Sequence, residues 1–238
     1  MVLVLALAGD AGSRPADHAD RVAERSRLAD ALGMHLTAAH PGSAVAIVGD
    51  VVYGIVPVSK SLDSAVRRTA RVASEFLDRT RARARAVIGI GSVSGDWSGL
   101  PRSREGADRA LRVLRANRSG KRVASIADVA FEACLIELRD LLTKRGDPLT
   151  GPLARLLEYD TRHRACLVET IRAWLDAFGD VIAAARAVNV HPNTFRYRLR
   201  RVAEVGEFDL ADADARLTMM LQLRLLPDST GAERRPPG

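Results

Sequence analysis

The first 125 residues alternate between two hydrophobic periods. Short apolar runs bounded by glycine or polar residues predict β-strands, and longer segments with apolar residues three or four positions apart predict amphipathic helices. The resulting order, β-α-β-β-α-β-α-β, is that of a ferredoxin-like palm with one additional helix and one additional strand. The predicted elements are the strand Val2–Ala8, a helix from the polar stretch Gly9–Asp17 to about Leu32, the strands Ala44–Val48 and Val51–Pro57, the helix Ser61–Arg81, the strand Val87–Ile90, the helix Pro101–Asn117 and the strand Arg122–Ser125.

Beyond residue 125 the apolar positions follow a helical period throughout, which predicts an all-α second part. The chain therefore falls in the α+β class, as a palm followed by a helical domain. We divide it into a palm at 1–125, connecting helices at 126–159, a helical domain at 160–226 and a flexible tail at 227–238. The predicted helices of this part are Ile126–Arg145, Pro152–Tyr159, Leu167–Phe178 after a polar turn at Asp160–His163, two helices considered next, and a last helix that starts at Asp212 or Asp214 and buries Leu217, Met220, Leu221 and Leu225.

The segment 180–202 predicts two short helices joined by a tight turn. Asp180 can cap the first helix, and Asn189 suits the left-handed conformation that would end it. Pro192 is well placed in the first turn of the second helix, where its missing N–H costs no hydrogen bond. The small residues Ala184–Ala185 allow the two helices to cross closely. Together these features are typical of a helix-turn-helix.

The second helix of this motif has an apolar stripe and a polar face. Phe195, Leu199 and Val202 fall at i, i+4 and i+7 and are expected to be buried, so the opposite side faces solvent. Arginine and asparagine there can bind guanine and adenine bidentately, while threonine and the free N–H groups at the helix start suit a phosphate. His191, at the N-cap position, can either cap the helix or contact a phosphate. The candidate DNA-contacting residues are His191, Asn193, Thr194, Arg196, Tyr197, Arg200 and Arg201.

The distribution of charge supports this assignment better than the total charge does. The net charge of +7 and the pI near 10.2 are only suggestive by themselves. Between Asp180 and Glu204, however, there is no carboxylate, while several arginines are present. A phosphate-facing surface requires such local segregation. The alternative is that Arg196–Arg201 form an ordinary solvated helix face, but the turn and the cap favour DNA binding.

Other features exclude several classes of protein. The only two cysteines, Cys134 and Cys166, lie in apolar helical patterns, so we expect buried free thiols rather than a zinc or disulfide site. The opening run Val2–Ala8 is too short for a membrane span and lacks the basic start of a signal peptide. We therefore expect a cytoplasmic protein without membrane association, and no residue pattern indicates a metal ion or cofactor.

The palm order is also that of nucleotide cyclases, whose chemistry needs two metal ions held by carboxylates. The loop Gly49-Asp50, which predicts a type II′ hairpin turn, has a single carboxylate, and Asp10 has no acidic neighbour. The stretch Gly89–Gly95 lacks the Lys-Ser/Thr of a P-loop and the spacing of a dinucleotide fingerprint, so a strand-to-helix connection is the better interpretation. We therefore expect no enzymatic activity.

The two parts together resemble a known family. Leu167–Gly179, Ala183–Arg201 and above all His191-Pro-Asn-Thr-Phe-Arg-Tyr-Arg-Leu199 resemble the C-terminal helix-turn-helix domain of the PucR/CdaR family of bacterial transcriptional regulators. The front half resembles the degenerate GGDEF-like domain that precedes it in that family, most closely over Leu100–Leu111. The resemblance covers nearly the whole chain and is strongest beyond about Leu153.

This resemblance implies a regulator of metabolic or catabolic genes that binds double-stranded DNA as a homodimer or higher oligomer, with a palm that lacks cyclase chemistry. Members of the family usually carry a further N-terminal sensory domain, for which this chain has no room before its first strand. We therefore expect a short form, a fragment of a longer protein, or a regulator whose signal arrives in another way, and the small-molecule effector, if there is one, stays unidentified. One helix-turn-helix reads only a few base pairs, and useful specificity normally requires two copies. The palm and the helix Ile126–Arg145 are candidates for the dimer interface.

A second function class stays open at this point. In it, the palm is a non-catalytic nucleotide- or metabolite-binding signalling module, and the helical domain mediates protein interaction. The carboxylate-free helix favours the DNA-binding regulator.

Overall fold

The computed structural model describes residues 2–8, 18–58, 62–80, 86–116, 121–146 and 148–226. The chain divides into two compact units, Met1–Ile136 and Glu137–Gly238. The predicted polar stretch Gly9–Asp17, which includes Asp10, and the predicted tail 227–238 lie outside the described residues. No helix within the described ranges is both long and apolar enough to cross a membrane.

The first unit contains a five-stranded sheet that confirms the predicted palm. Its strands are β1 Val2–Ala8, β2 Ala44–Val48, β3 Val51–Pro57, β4 Val87–Ile90 and β5 Val123–Ser125, and its long helices are α1 His18–Ala39, α2 Leu62–Arg79 and α3 Leu100–Arg115. The sheet order is β2-β3-β1-β4-β5. β1 lies in the centre, antiparallel to β3 and β4, and β5 is added in parallel beside β4. This is the ferredoxin-like order with one extra strand.

The two faces of the sheet are covered by different helices, because successive side chains of a strand point to opposite sides. Val52 and Val56 of β3 pack in one core cluster with residues of α1 and α2. Val51 packs in a second cluster with residues of α3. Apolar residues of β3 thus pack against helices on both sides of the sheet.

Two glycines, Gly89 within β4 and Gly91 directly after it, allow a helix to pack closely on this strand. An added Cβ at Gly89 would overlap the carbonyl oxygen of Ala107, and one at Gly91 would overlap that of Ser103. Both contacts are to the backbone of α3, which therefore lies directly against β4. The glycines serve helix–strand packing, in agreement with the predicted strand-to-helix connection.

The hairpin between β2 and β3 has the predicted geometry. Gly49 has a φ of +63°, and Asp50 does not have a positive φ, as a type II′ turn requires. By contrast, α1 continues two turns beyond the predicted end at Leu32. Leu32 and Leu36 lie one turn apart and are both fully buried. Because this apolar stripe continues beyond Gly33, the helix extends to Ala39.

The helical part of the chain begins with α4, which starts in the first unit and ends in the second. Its helices are α4 Ala130–Arg145, α5 Pro152–His163, α6 Leu167–Asp176, α7 Val181–Ala187, α8 Pro192–Gly206 and α9 Ala213–Leu225. A short 3₁₀ helix, Ile126–Asp128, replaces the first turn of the predicted connecting helix. The expectation of buried thiols is wrong for Cys134, which is exposed on α4, and Cys166 is half-buried. The side of α4 that packs carries Ala133 and Ile136 instead.

Candidate nucleic-acid interface

Helices α5 to α9 enclose one hydrophobic core that holds α8 by its apolar stripe. Phe195 and Val202 are fully buried, and Leu199 is nearly so, as their spacing predicts. They pack with Trp174 of α6 and with the alanines of α7 in a single cluster. The side of α8 opposite this stripe is therefore fixed in orientation by the core.

The turn that precedes α8 is formed by the residues that the sequence singled out. The Asp180 carboxylate accepts hydrogen bonds from the backbone N–H groups of Ile182 and Ala183, at 2.8 and 3.1 Å. Asn189 has a φ of +55°, and the N–H of the next residue, Val190, donates to the carbonyl of Ala185. Ala184 and Ala185 are fully buried where α7 packs on α8. Pro192 is the first residue of α8. The predicted helix-turn-helix geometry is confirmed.

His191 is the N-cap of α8, and one nitrogen of its ring accepts the capping hydrogen bond. Its Nδ1 accepts the backbone N–H of Asn193 at 3.2 Å, so the proton of the neutral ring is on Nε2. Because the side chain is exposed, that N–H can donate outward while the ring caps the helix. Capping and phosphate contact, which the sequence left as alternatives, are thus compatible.

The outward face of α8 is polar, cationic and accessible. Tyr197 is 65% exposed, and Arg196 donates to the side-chain oxygen of Asn193 at 3.0 Å. This bond orients the asparagine and arginine side by side on the first turn. Six of the seven predicted contact residues are exposed, namely His191, Asn193, Thr194, Arg196, Tyr197 and Arg200. With no carboxylate from residue 181 to 203, the face can accept an anion or a groove lined by phosphates.

The seventh predicted residue, Arg201, is engaged within the protein. Its guanidinium donates to the Glu204 carboxylate at 2.8 Å and to the Tyr159 hydroxyl at 3.3 Å, and it lies 5.1 Å from the centroid of the Tyr159 ring. The Glu204 hydrogen bond, followed by the Tyr159 bond, raises the pKa of Arg201 above its ordinary value. His163 stacks on the same tyrosine at 4.3 Å between ring centroids. Arg201 thus joins α8 to α5.

Helix α5 contributes to the site in ways that the sequence did not reveal. Leu153 and Leu156 are fully buried in the core of the helix-turn-helix. Arg155 donates to the carbonyl oxygen of Gly206 at the end of α8 and pairs with Glu207 at 3.5 Å. The predicted polar turn 160–163 is wrong, since these residues form the last turn of α5. The only sequence signal for this was the run of residues with good helix propensity after Pro152.

The last turn of α5 also caps the next helix. The two carboxylate oxygens of Asp160 accept the backbone N–H groups of Leu167 and Val168, at 2.8 and 2.9 Å. These N–H groups have no partner inside α6, so a carboxylate from outside the helix satisfies them. Helices α5, α6 and α8 are consequently linked by polar contacts as well as by the core.

The predicted buried face of α9 is wrong for Leu217 and Leu221, whereas Met220 packs against the core as expected. Met219 and Leu223 are 1% and 4% exposed and pack in the core, whereas Leu217 and Leu221 are 57% and 36% exposed. Leu217 and Leu221 had been expected to pack against the bundle, and Met219 and Leu223 pack there in their place. The helix is apolar on both sides, so its period alone does not select the packed side.

The palm offers little to a metal-dependent reaction at its hairpin. Asp50, the single carboxylate of the Gly49-Asp50 loop, pairs with Arg115 of α3 at 3.1 Å. The described residues contain no group of three or more side chains that could hold a metal ion.

Comparison with known proteins identifies both parts. The model of the PucR C-terminal helix-turn-helix domain matches residues 167–225, and the model of the GGDEF-like domain matches residues 1–113. The chain is similar to the DNA-binding transcriptional activator AdeR of Bacillus subtilis, with 27% identity over 139 residues, which is 58% of this chain and 33% of that protein. It is also similar to the carbohydrate diacid regulator of Escherichia coli, with 36% identity over 85 residues, or 34% of this chain and 22% of that protein.

The match thus spans a third or less of the length of these two curated relatives. Among solved structures, a regulator of polyketide synthase expression from Bifidobacterium adolescentis aligns with 94% of this chain and 79% of its own, at 16% identity and a TM-score of 0.33.

Proposed function

Because the chain belongs to the PucR/CdaR family of bacterial transcriptional regulators, we propose that it binds double-stranded DNA and regulates transcription, with α8 in the major groove. The observation that carries this proposal is the division of α8 into two faces. One face, Phe195, Leu199 and Val202, is held in the core, and the other is exposed and free of carboxylates. The major groove admits a helix presented in this way.

Within this proposal the exposed side chains have distinct roles. Arg196 and Arg200 read guanine, and Asn193 reads adenine, because these side chains match the hydrogen-bond patterns of those bases. Tyr197 contacts a base or sugar beside them. Thr194 and the Nε2–H of His191 lie at the start of α8, where the helix dipole favours a phosphate.

Arg201 has a different role in the proposal from that of its neighbours. Its bonds to Glu204 and Tyr159 compete with any contact to DNA. It therefore acts mainly by holding α8 on α5, so that the reading residues keep their orientation in the groove.

The regulator acts as a homodimer, since one recognition helix covers too few base pairs for useful specificity. Its targets are metabolic or catabolic genes, as the name of the carbohydrate diacid regulator suggests by analogy. Such a protein works in the compartment that holds the chromosome, the bacterial cytoplasm. A small-molecule effector is compatible with this role but is not identified by any described residue.

The experiment that tests the proposal is a gel-shift titration of the full chain on DNA fragments selected from a random pool. We expect Arg196→Ala to lower affinity for the selected site by about tenfold, ~1.4 kcal/mol, with an unchanged Tm. Arg162→Ala is the matched control, because Arg162 is 70% exposed on α5 and pairs locally with Glu158. Both variants lose one positive charge. Equal losses of affinity in the two variants, or no loss in Arg196→Ala, would contradict the assignment of α8.

The palm in this proposal is structural or sensory and does not catalyse cyclisation. Asp50 supports this, because it is the single carboxylate of the hairpin loop and pairs with Arg115 of α3. A nucleotide- or metabolite-binding palm without chemistry stays compatible with a regulator that responds to a signal.

A further inference from the structure

Helix α9 has a second apolar face that the helix-turn-helix domain does not cover. On one side Met219 and Leu223 pack into the core, where α9 lies mainly against α5 and α6. On the other side Leu217 and Leu221 are 57% and 36% exposed. A helix that is apolar on both sides is normally covered on both sides. Among the residues that the structure describes in this domain, none covers the side that carries Leu217 and Leu221.

The exposed side also carries two opposite charges, one at each end. Asp214, Leu217, Leu221 and Arg224 are spaced i, i+3, i+7 and i+10, and at 100° per residue they fall within an arc of about 80°. This is the spacing of a coiled-coil seam, with leucines in the middle and a charge at either end. We call these four residues the outer face of α9.

From this pattern we infer that the outer face of α9 is the interface with a second copy of the chain. The two α9 helices lie antiparallel, and the two-fold axis that relates them passes beside residue 219, midway between Leu217 and Leu221. Leu217 then packs on Leu221 of the second copy, and the reverse contact follows by symmetry. Asp214 faces Arg224 of the second copy at both ends. A parallel pair would place Asp214 on Asp214, so the charges select the antiparallel arrangement.

Both charges are exposed at the surface of α9. Arg224 forms an ion pair with Asp176 of its own subunit at 3.4 Å, and its guanidinium side chain is 56% exposed. A guanidinium has five N–H donors, so Arg224 can bind a second carboxylate without giving up the first. Asp214 is exposed in the first turn of α9.

The arrangement is compatible with DNA binding by two copies. Since α9 packs mainly on α5 and α6, its outer face is separate from the exposed face of α8. A two-fold axis through α9 would relate two recognition helices, as two half-sites require. This link to half-sites rests on the proposed function, whereas the interface itself does not. One pair of short helices buries less than the roughly 800 Å² per partner of a stable complex, so we expect a weak dimer that DNA reinforces.

Sedimentation equilibrium of the full chain without DNA, from micromolar to a few hundred micromolar, tests the inference. We expect the natural chain to dimerise and Leu217→Glu to raise the dimer dissociation constant at least tenfold with an unchanged Tm. The matched control is Ile182→Glu on α7, because Ile182 is 49% exposed and lies outside the outer face of α9. It should leave the dissociation constant unchanged. A natural chain that stays monomeric throughout, or a dimer that survives Leu217→Glu, overturns the inference.

A charge exchange gives a second test that a general loss of stability cannot imitate. Asp214→Arg and Arg224→Asp should each weaken the dimer, and the double variant should restore it, because the two charges are then exchanged across the two-fold axis. Absence of rescue in a double variant whose Tm equals that of the natural chain would reject the antiparallel pairing; the Tm is needed because Arg224→Asp also breaks the pair with Asp176. Failure here is distinct from failure of DNA binding, since Leu217→Glu should keep the natural affinity for a single half-site, whereas Arg196→Ala should weaken it about tenfold.

Discussion

Phe195 and Tyr197 are two aromatic residues of α8 that lie two positions apart and should respond to substitution in opposite ways. Phe195 is fully buried, whereas Tyr197 is 65% exposed. An aromatic side chain buries about 150–250 Å², which at ~25 cal/mol per Å² corresponds to about 4–6 kcal/mol. Alanine retains part of this, so Phe195→Ala should lower the free energy of unfolding by about 3–5 kcal/mol. Tyr197→Ala should change it by less than about 0.5 kcal/mol.

The assay can be restricted to the domain concerned. The chain has two tryptophans: Trp174 is 8% exposed in the same core as Phe195, and Trp97 is 66% exposed in the palm unit. In a Trp97→Phe background, fluorescence during urea unfolding reports on Trp174 alone. This matters because a chain of two compact units need not unfold in one transition.

The two substitutions should separate stability from binding. Phe195→Ala should shift the Trp174 transition to much lower urea. Tyr197→Ala should leave that transition in place and weaken the gel shift on selected DNA by about tenfold, ~1.4 kcal/mol. If Phe195→Ala left the transition unchanged, or if Tyr197→Ala moved it equally far, the assignment of buried and exposed faces to α8 would be refuted.

Two further predictions concern the start of the motif and the palm. Asp180→Ala removes the cap of α7 and should destabilise the second unit by about 0.5–2 kcal/mol in the same urea assay, whereas Asp180→Asn, which keeps an acceptor oxygen, should cost less; equal effects would argue against capping. The full chain incubated with GTP and Mg²⁺ should give no cyclic nucleotide by chromatography, since the hairpin loop has only the carboxylate of Asp50, which pairs with Arg115, where two metal ions need several; product formation would refute a non-catalytic palm.

Features that depend on neighbours in the sequence were predicted well. The strands Ala44–Val48 and Val51–Pro57 have their predicted bounds, because a glycine-opened turn between two apolar runs determines where each strand ends. The exposed face of α8 followed from the same kind of local argument, since the buried stripe sets the direction of every other side chain. The assignment of individual DNA contacts stays a prediction.

Features that depend on distant residues were missed. The bond between Arg201 and Tyr159 joins residues that are far apart in sequence, and no local pattern relates them. Asp160 was expected in a turn, but its carboxylate caps α6 because α5 continues to His163 and carries it there. In both cases the packing of α5 against the other helices brings the two hydrogen-bonding groups together.

The sequence by itself determined the palm order, the turn between α7 and α8, and the carboxylate-free polar face, because periods, caps and charge runs act over a few residues. Only the tertiary structure decided which side of α9 is packed and which arginine of α8 is engaged by α5. A helix with apolar residues on two sides, or an arginine with five N–H donors, has several equivalent partners until the chain is folded. The packing of the core determines which of these partners comes into contact with the helix or the arginine.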